Sequence, residues 1–143
     1  MKQNSTRSAI FAALIAITIQ FTAAQEPVKR FSSEQETITF ATKNLLVCLR
    51  ADNPGVVESA LKVIAEMKMR YPKAEMSDLI REMRSIKKNN KDGAIRYKAF
   101  LAISVCENPE WYTELMEHWT ESSDLFFRSA STVLNERLLS SVN

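Results

Sequence analysis

Apolar side chains recur along this chain at three- and four-residue intervals in six stretches, each opened or closed by helix-boundary residues. Ser33 followed by Glu36 is a capping box, in which each side chain satisfies the other residue's free backbone N–H. Ile38, Ala41, Leu45, Leu46 and Leu49 follow at helical spacing and predict a first helix over Ser33 to Ala51. Phe40 and Val47 lie off that stripe, which predicts neighbours on two faces. Asn53 is a good N-cap, and Pro54 suits the first helical turn, where its missing N–H is not needed. The second helix is expected to reach Arg70 before Pro72, with Val56, Ala60, Val63, Ile64 and Met67 inward. The third, Met76 to Lys88, is the cleanest amphipathic segment. Met76, Leu79, Ile80, Met83 and Ile86 share one face, while Asp78, Arg81, Glu82, Arg84 and Lys87 share the other.

A polar turn ending in Asp92-Gly93 leads into a fourth helix, with Ile95, Ala99, Ala102 and Ile103 aligned. Asn108-Pro109 repeats the Asn53-Pro54 device and predicts a short fifth helix with Trp111, Leu115 and Trp119 on one face and Tyr112 and Met116 beside it. Ser122-Ser123-Asp124 caps a sixth, carrying Phe126, Phe127, Ala130, Val133, Leu134 and Leu138. Two glycines and four prolines in 143 residues leave too few turn residues for a β-sandwich. The expected class is all-α.

Internal similarity refines this expectation. A shift of 39 residues places Asn53, Val56 and Ala60 on Asp92, Ile95 and Ala99. A shift of 70 places Val56 to Ala60 on Phe126 to Ala130, Val63-Ile64 on Val133-Leu134, and Glu66 on Glu136. An alanine in mid-helix lets a partner helix approach closely. The polar turn, the branched aliphatic and the alanine four residues later resemble the second helix of HEAT-like α-helical repeats, and Arg96 stands where such repeats often carry arginine. The third unit matches only in part. Over roughly Ile38 to Leu138, the resemblance implies about three antiparallel helix pairs stacked as a short HEAT-like α-solenoid. It also implies a scaffolding or protein-binding role without catalytic residues.

The N-terminus reads as an address. Lys2 and Arg7 precede an apolar run from Ala9 to Phe21, and Thr22-Ala23-Ala24 offers small residues for cleavage before Gln25. The run is shorter than the roughly 20 residues of a membrane span. The expected organisation is a cleaved secretory signal peptide over 1–24, a flexible leader over 25–32 and a helical repeat domain over 33–143. Destination is the periplasm or the extracellular space, with no stable membrane anchor after cleavage. Removing Lys2 and Arg7 takes the 19 basic and 17 acidic side chains to 17 and 17. The mature chain is formally neutral, which argues against nucleic acid.

Candidate chemistry is sparse. The array geometry places Cys48 across from Val57 and Cys106 at the level of Met67, ~15 Å apart along the axis at the helical rise. A disulfide needs Cα atoms within about 7 Å, so two separate thiols are expected. His118 with Glu114 supplies two ligands, and a structural zinc site wants four. No nucleophile motif, phosphate-binding glycine loop or metalloprotease motif is present. No cofactor or metal is expected.

The basic cluster Arg81, Arg84, Lys87, Lys88, Lys91, Arg96 and Lys98 is interleaved with Asp78, Glu82 and Asp92, as on a solvated face. The aromatic residues Trp111, Tyr112, Trp119 and Tyr97 are the candidate partner-binding positions, because large amphipathic rings dominate protein interfaces. The partner itself is unidentified by sequence. Two functions follow: a non-enzymatic protein-interaction scaffold, or an enzyme or small-molecule binder using a cleft between helix pairs. End faces carrying Phe40 or Phe127 also allow a homo-oligomer. N-terminal mass spectrometry of the exported protein is expected to find Gln25 as the first residue; an intact Met1 in the exported fraction would refute signal cleavage.

Overall fold

Side-chain caps set most of the helix starts. In the computed structural model, which describes residues 33–117 and 122–141, Ser33 Oγ accepts the Glu36 N–H at 3.2 Å and opens α1, Glu34–Leu49. Asn53 Oδ1 accepts the Gly55 N–H at 2.9 Å and opens α2, Pro54–Arg70, with Pro54 in the first turn. Asp92 Oδ1 accepts from Ala94 and Ile95 and opens α4, Gly93–Glu107. Ser122 caps α6, Ser123–Ser140, through the Leu125 N–H. Between these lie α3, Ser77–Asn89, and α5, Thr113–Glu117. Among the described residues the chain is all-helical, and no helix there is long and apolar enough to cross a membrane. The signal and leader segments, His118 and Trp119 lie outside the described residues.

Asn108-Pro109 departs from the expected device. The Asn108 side chain turns back and donates Nδ2 to the Ser104 carbonyl of α4 at 3.3 Å, and Pro109–Tyr112 is a 3-10 turn. A 3-10 turn advances about 120° per residue rather than 100°. Trp111 in that turn and Leu115 in α5 are both half-buried against the core.

α4 is the centre of the unit formed by Ser33–Asn143. Six consecutive residues, Leu101, Ala102, Ile103, Ser104, Val105 and Cys106, are buried, so this half of the helix has no solvent face. α2 and α3 pack on it most extensively; α1 covers α2 and α3; α6 and the 3-10 turn close the remaining sides of both α4 and α2. The expected inner positions Ile95, Ala99, Ala102 and Ile103 are all buried, as are Met76, Leu79, Met83 and Ile86 of α3, while Ile80 is half-buried.

α2 is turned about its axis from the expected orientation, keeping Ala60 and Ile64 of the expected stripe inside. Val57, Ala60, Leu61, Ile64, Ala65 and Met69 are inside, whereas Val56 and Val63 are 38% and 43% exposed and Met67 is half-buried. Both stripes have helical spacing. The inner one is selected because it carries the larger volume, Leu61 with Ile64 and Met69, against α4. Val56 and its 39-residue counterpart Ile95 thus occupy unlike environments. On α1, Ile38, Leu45 and Leu49 are buried as expected, while Phe40 and Val47 are 45% and 72% exposed. On α6, Phe126, Phe127, Ala130 and Leu134 are buried and Leu138 is exposed. Phe127, expected at an end face, instead packs edge-on to Phe126 at 5.2 Å.

Burying that face of α2 also brings Lys62 and Glu66 inside, where they form an i,i+4 ion pair. The Lys62 ammonium lies 5.9 Å from the Phe126 ring centroid. Paired in this way the two charges are tolerated in the interior; one of them alone is not. Lys62→Met is expected to cost about 3–5 kcal/mol by stranding the Glu66 carboxylate, whereas adding Glu66→Leu recovers most of that loss. Urea unfolding of the two variants checks this; equal loss in single and double variants would refute it.

Candidate functional site

The four aromatic candidates separate by environment. Tyr112 is 0% exposed, and its hydroxyl and Ser104 Oγ are 2.7 Å apart in the core beside α4. It therefore offers no surface to a partner: the ring fills the interior, and the hydroxyl pairs with the buried Ser104 hydroxyl. Burial pushes the Tyr112 phenol above its ordinary value, opposed by the hydrogen bond to Ser104. Trp111 is half-buried against the core, and Trp119 lies outside the described residues. Tyr97 is 49% exposed on α4.

Tyr97 does not stand alone. Phe100, one turn later and 38% exposed, has its ring centroid 6.2 Å from that of Tyr97. Lys87 of α3 reaches across and places its ammonium 5.6 Å from the Phe100 centroid. On the other side, Tyr97 Oη and Ser131 Oγ of α6 are 2.7 Å apart. A groove of about 520 Å³ between α4 and α6 continues from there, lined by Tyr97, Lys98, Phe127, Arg128, Ser131 and Thr132. The result is one strip crossing α3, α4 and α6: a cation, two rings, hydroxyls and a second cation. A separate groove of about 510 Å³ between α1 and α2 is lined by Leu45, Cys48, Val56, Ser59, Ala60 and Val63. It holds the valines that the inward turn of Val57 and Leu61 leaves outside.

The floor of the α4/α6 groove is fixed by charge. Lys98 Nζ bonds Glu58 of α2 at 2.7 Å and Asp124 of α6 at 2.8 Å, and lies 5.8 Å from the Phe127 centroid. Burial alone lowers the Lys98 ammonium, but its bonds to Asp124 and Glu58 outweigh that and hold it above the ordinary lysine value. The same bond to Lys98 holds the Asp124 carboxyl below its ordinary range. Lys98 is a rivet between three helices, with its charge already answered.

The rest of the basic cluster divides in the same way. Arg81 bonds Asp78 at 2.6 Å, Arg84 bonds Glu107 at 2.7 Å, and Arg96 donates to the Asn90 and Lys91 carbonyls. Glu82, read from sequence as a solvated-face acid, instead bonds Arg50, the C-cap residue of α1, at 2.8 Å. Within the basic cluster, Arg81, Arg84 and Lys98 are thus paired with carboxylates, Arg96 bonds backbone carbonyls, and Lys87, Lys88 and Lys91 form no ion pair among the described residues.

No catalytic arrangement appears among the described residues. No group of three or more His, Cys, Asp and Glu there could hold a metal ion. Glu114 is exposed on α5. The groove hydroxyls of Ser131, Thr132 and Tyr97 have Lys98 and Asp124 as charged neighbours, and those two neutralise each other. The sequence reading missed Arg128, Ser131 and Thr132. Their signal was present in the i,i+3 and i,i+4 spacing of polar residues opposite Phe126, Ala130 and Leu134.

Both cysteines are free thiols, Cys48 half-buried and Cys106 buried. Burial pushes the Cys106 thiol up to about 12, with Lys68 opposing and Glu107 adding to the shift. Between the ordinary value of 9.0 and about 12, the unfolded chain releases this proton while the folded chain keeps it. Stability must therefore fall as pH rises through that window, by up to about 1.4 kcal/mol per pH unit from this group. Tyr112, also raised, acts in the same direction. Urea midpoints on either side of pH 9 are expected to show the decline, and Cys106→Ala is expected to flatten it; an unchanged slope would refute the assignment. Native-state alkylation is expected to favour Cys48 over Cys106. Comparison of the chain with known protein families, with characterised proteins and with solved structures gives no match.

Proposed function

We propose that this chain is an exported, non-enzymatic protein-interaction module, and that the strip from Lys87 to Arg128 is its binding surface. The observation that carries the proposal is the exposed Tyr97–Phe100 pair, continuous with the α4/α6 groove. Solvent-exposed rings set on a packed helix supply apolar contact area at little conformational cost, which is the composition of interface hot spots. The Tyr97 hydroxyl bond to Ser131 further limits the rotation of one ring before any partner arrives.

The architecture within this reading is a short HEAT-like stack of about three helix pairs. It draws on the sequence repeat and on the packing of α1 with α2 and α3 and of α2 with α4. Export rests on the three-part N-terminal pattern of Lys2 and Arg7, the apolar run and the small residues before Gln25.

Capture from the native extracellular or periplasmic fraction tests the binding surface. Tagged mature protein is compared with a Tyr97→Ala, Phe100→Ala double variant of equal thermal stability. At least one captured protein is expected to fall by about tenfold or more with the variant, the scale of a lost hot spot. An identical capture profile for the two proteins would remove the strip as the binding surface.

A further inference from the structure

The charges around the Tyr97–Phe100 strip carry information about what it binds. Four of the carboxylates on the surrounding helices are already engaged. Glu58 and Asp124 are held by Lys98, Glu107 by Arg84, and Asp78 by Arg81. Lys87 and Arg128 form no ion pair among the described residues, and both are exposed. Lys87 sits over the Phe100 ring at one end of the strip, and Arg128 lines the groove with Tyr97 at the other. The strip therefore has an aromatic centre, an ammonium outside any ion pair on one side, and on the other a guanidinium that shares its acidic neighbour Asp124 with Lys98.

We infer that the partner of this surface is a short acidic protein segment, one apolar or aromatic side chain flanked by Asp or Glu residues, seated with its anchor on Tyr97 and Phe100 and its carboxylates toward Lys87 and Arg128. This rests on the strip being the binding surface and adds the chemistry of its ligand. A carboxylate brought to Lys87 gains an attraction that no ion pair among the described residues supplies, and one brought to Arg128 meets a guanidinium whose acidic neighbour, Asp124, is already bonded to Lys98. The hydroxyls of Ser131 and Thr132 give the segment further hydrogen-bond partners in the groove.

An anionic polysaccharide or a nucleic acid fits less well. Such polyanions are held by rows of free cations whose counterions they release. Here Arg81, Arg84 and Lys98 are tied to carboxylates and Arg96 to backbone carbonyls. The mature chain carries 17 basic and 17 acidic side chains. Lys88 and Lys91 also form no ion pair among the described residues, but Lys87 and Arg128 are the cations placed on the strip itself, and two cations separated by aromatic rings match a short charged segment with an apolar centre.

The test uses the mature protein and three probes: a labelled peptide with one phenylalanine between two runs of glutamate, its twin with glutamine in place of glutamate, and a heparin oligosaccharide. Fluorescence anisotropy is expected to show the glutamate peptide binding about tenfold or more tighter than the twin, with affinity falling as salt is raised. Lys87→Glu with Arg128→Glu is expected to abolish the preference, and Tyr97→Ala with Phe100→Ala to abolish binding. All four positions are exposed, and matched circular dichroism and unfolding midpoints confirm that each variant is folded. Equal binding of the two peptides, indifference to charge reversal, or no peptide binding overturns the acidic partner. So does a heparin complex that displaces the peptide and survives loss of the rings. The strip itself is judged by the capture experiment, so the two ideas fail separately. Glutamate-peptide binding that survives removal of both rings would place the site elsewhere and overturn the inference as well.

Discussion

The complete burial of the second half of α4 is the constraint on which the rest of the structure depends. A helix with six successive residues inside must be surrounded, and a chain of this length has few elements to do it with. α2 and α3 take the largest shares, and α6 and the 3-10 turn fill what is left. Enclosure on that scale puts even a serine inside. Ser104 is satisfied there by Tyr112, which the 3-10 turn delivers to the core at the right level. The irregular segment after α4 is therefore a consequence of α4: a regular α-helix from Pro109 would carry Tyr112 around by a different angle.

Charge then fixes how α6 lies across α2 and α4. Lys98 binds one carboxylate from each of the other two helices, and Lys62 of α2, paired with Glu66, lies over the Phe126 ring of α6. Exposed ion pairs contribute little. Lys98 and Glu58 are both well covered, and an ammonium held by two carboxylates in that setting specifies register more than it adds stability. These contacts bring Ser131 within hydrogen-bonding distance of Tyr97 and Arg128 into the same groove. The surface strip is thus a product of the interior: its α6 half is positioned by contacts made beneath it.

The sequence disclosed those helices whose pattern has one solution. α3 alternates apolar and charged residues so strictly that Leu79, Met83 and Ile86 could face only inward. α2 has two stripes of comparable spacing, and the choice between Val56-Val63 and Val57-Leu61-Ile64 is made by the neighbour it meets. Lys62 and Glu66 hid that choice, because lysine and glutamate ordinarily mark an outer face and here neutralise each other on an inner one. The caps at Ser33, Asn53, Asp92 and Ser122 were legible because each bonds residues two or three positions away. Asn108 looked the same and behaves differently, since its side chain had the alternative of the Ser104 carbonyl one turn back. For the candidate surface, Tyr97 could be named from its size and amphipathic character. Its contact with Ser131 spans 34 residues and Lys87 lies on a different helix from Phe100, so no local pattern could join them into a strip.

One helix accordingly serves two ends. From Leu101 to Cys106 α4 is enclosed, while its first two turns expose Tyr97 and Phe100 between α3 and α6. The enclosed half makes the exposed half a stiff platform, because rotating α4 to hide the two rings would expose Leu101 and Val105 or drive Ser104 from Tyr112. Hiding the rings by moving α6 instead would break the bonds of Lys98 to Glu58 and Asp124. The apolar area at Tyr97 and Phe100 therefore cannot be withdrawn without losing core contacts. Exposure at these two residues is imposed by the packing, and a surface held open in this way meets a partner with its geometry already set, which lowers the entropy lost on association.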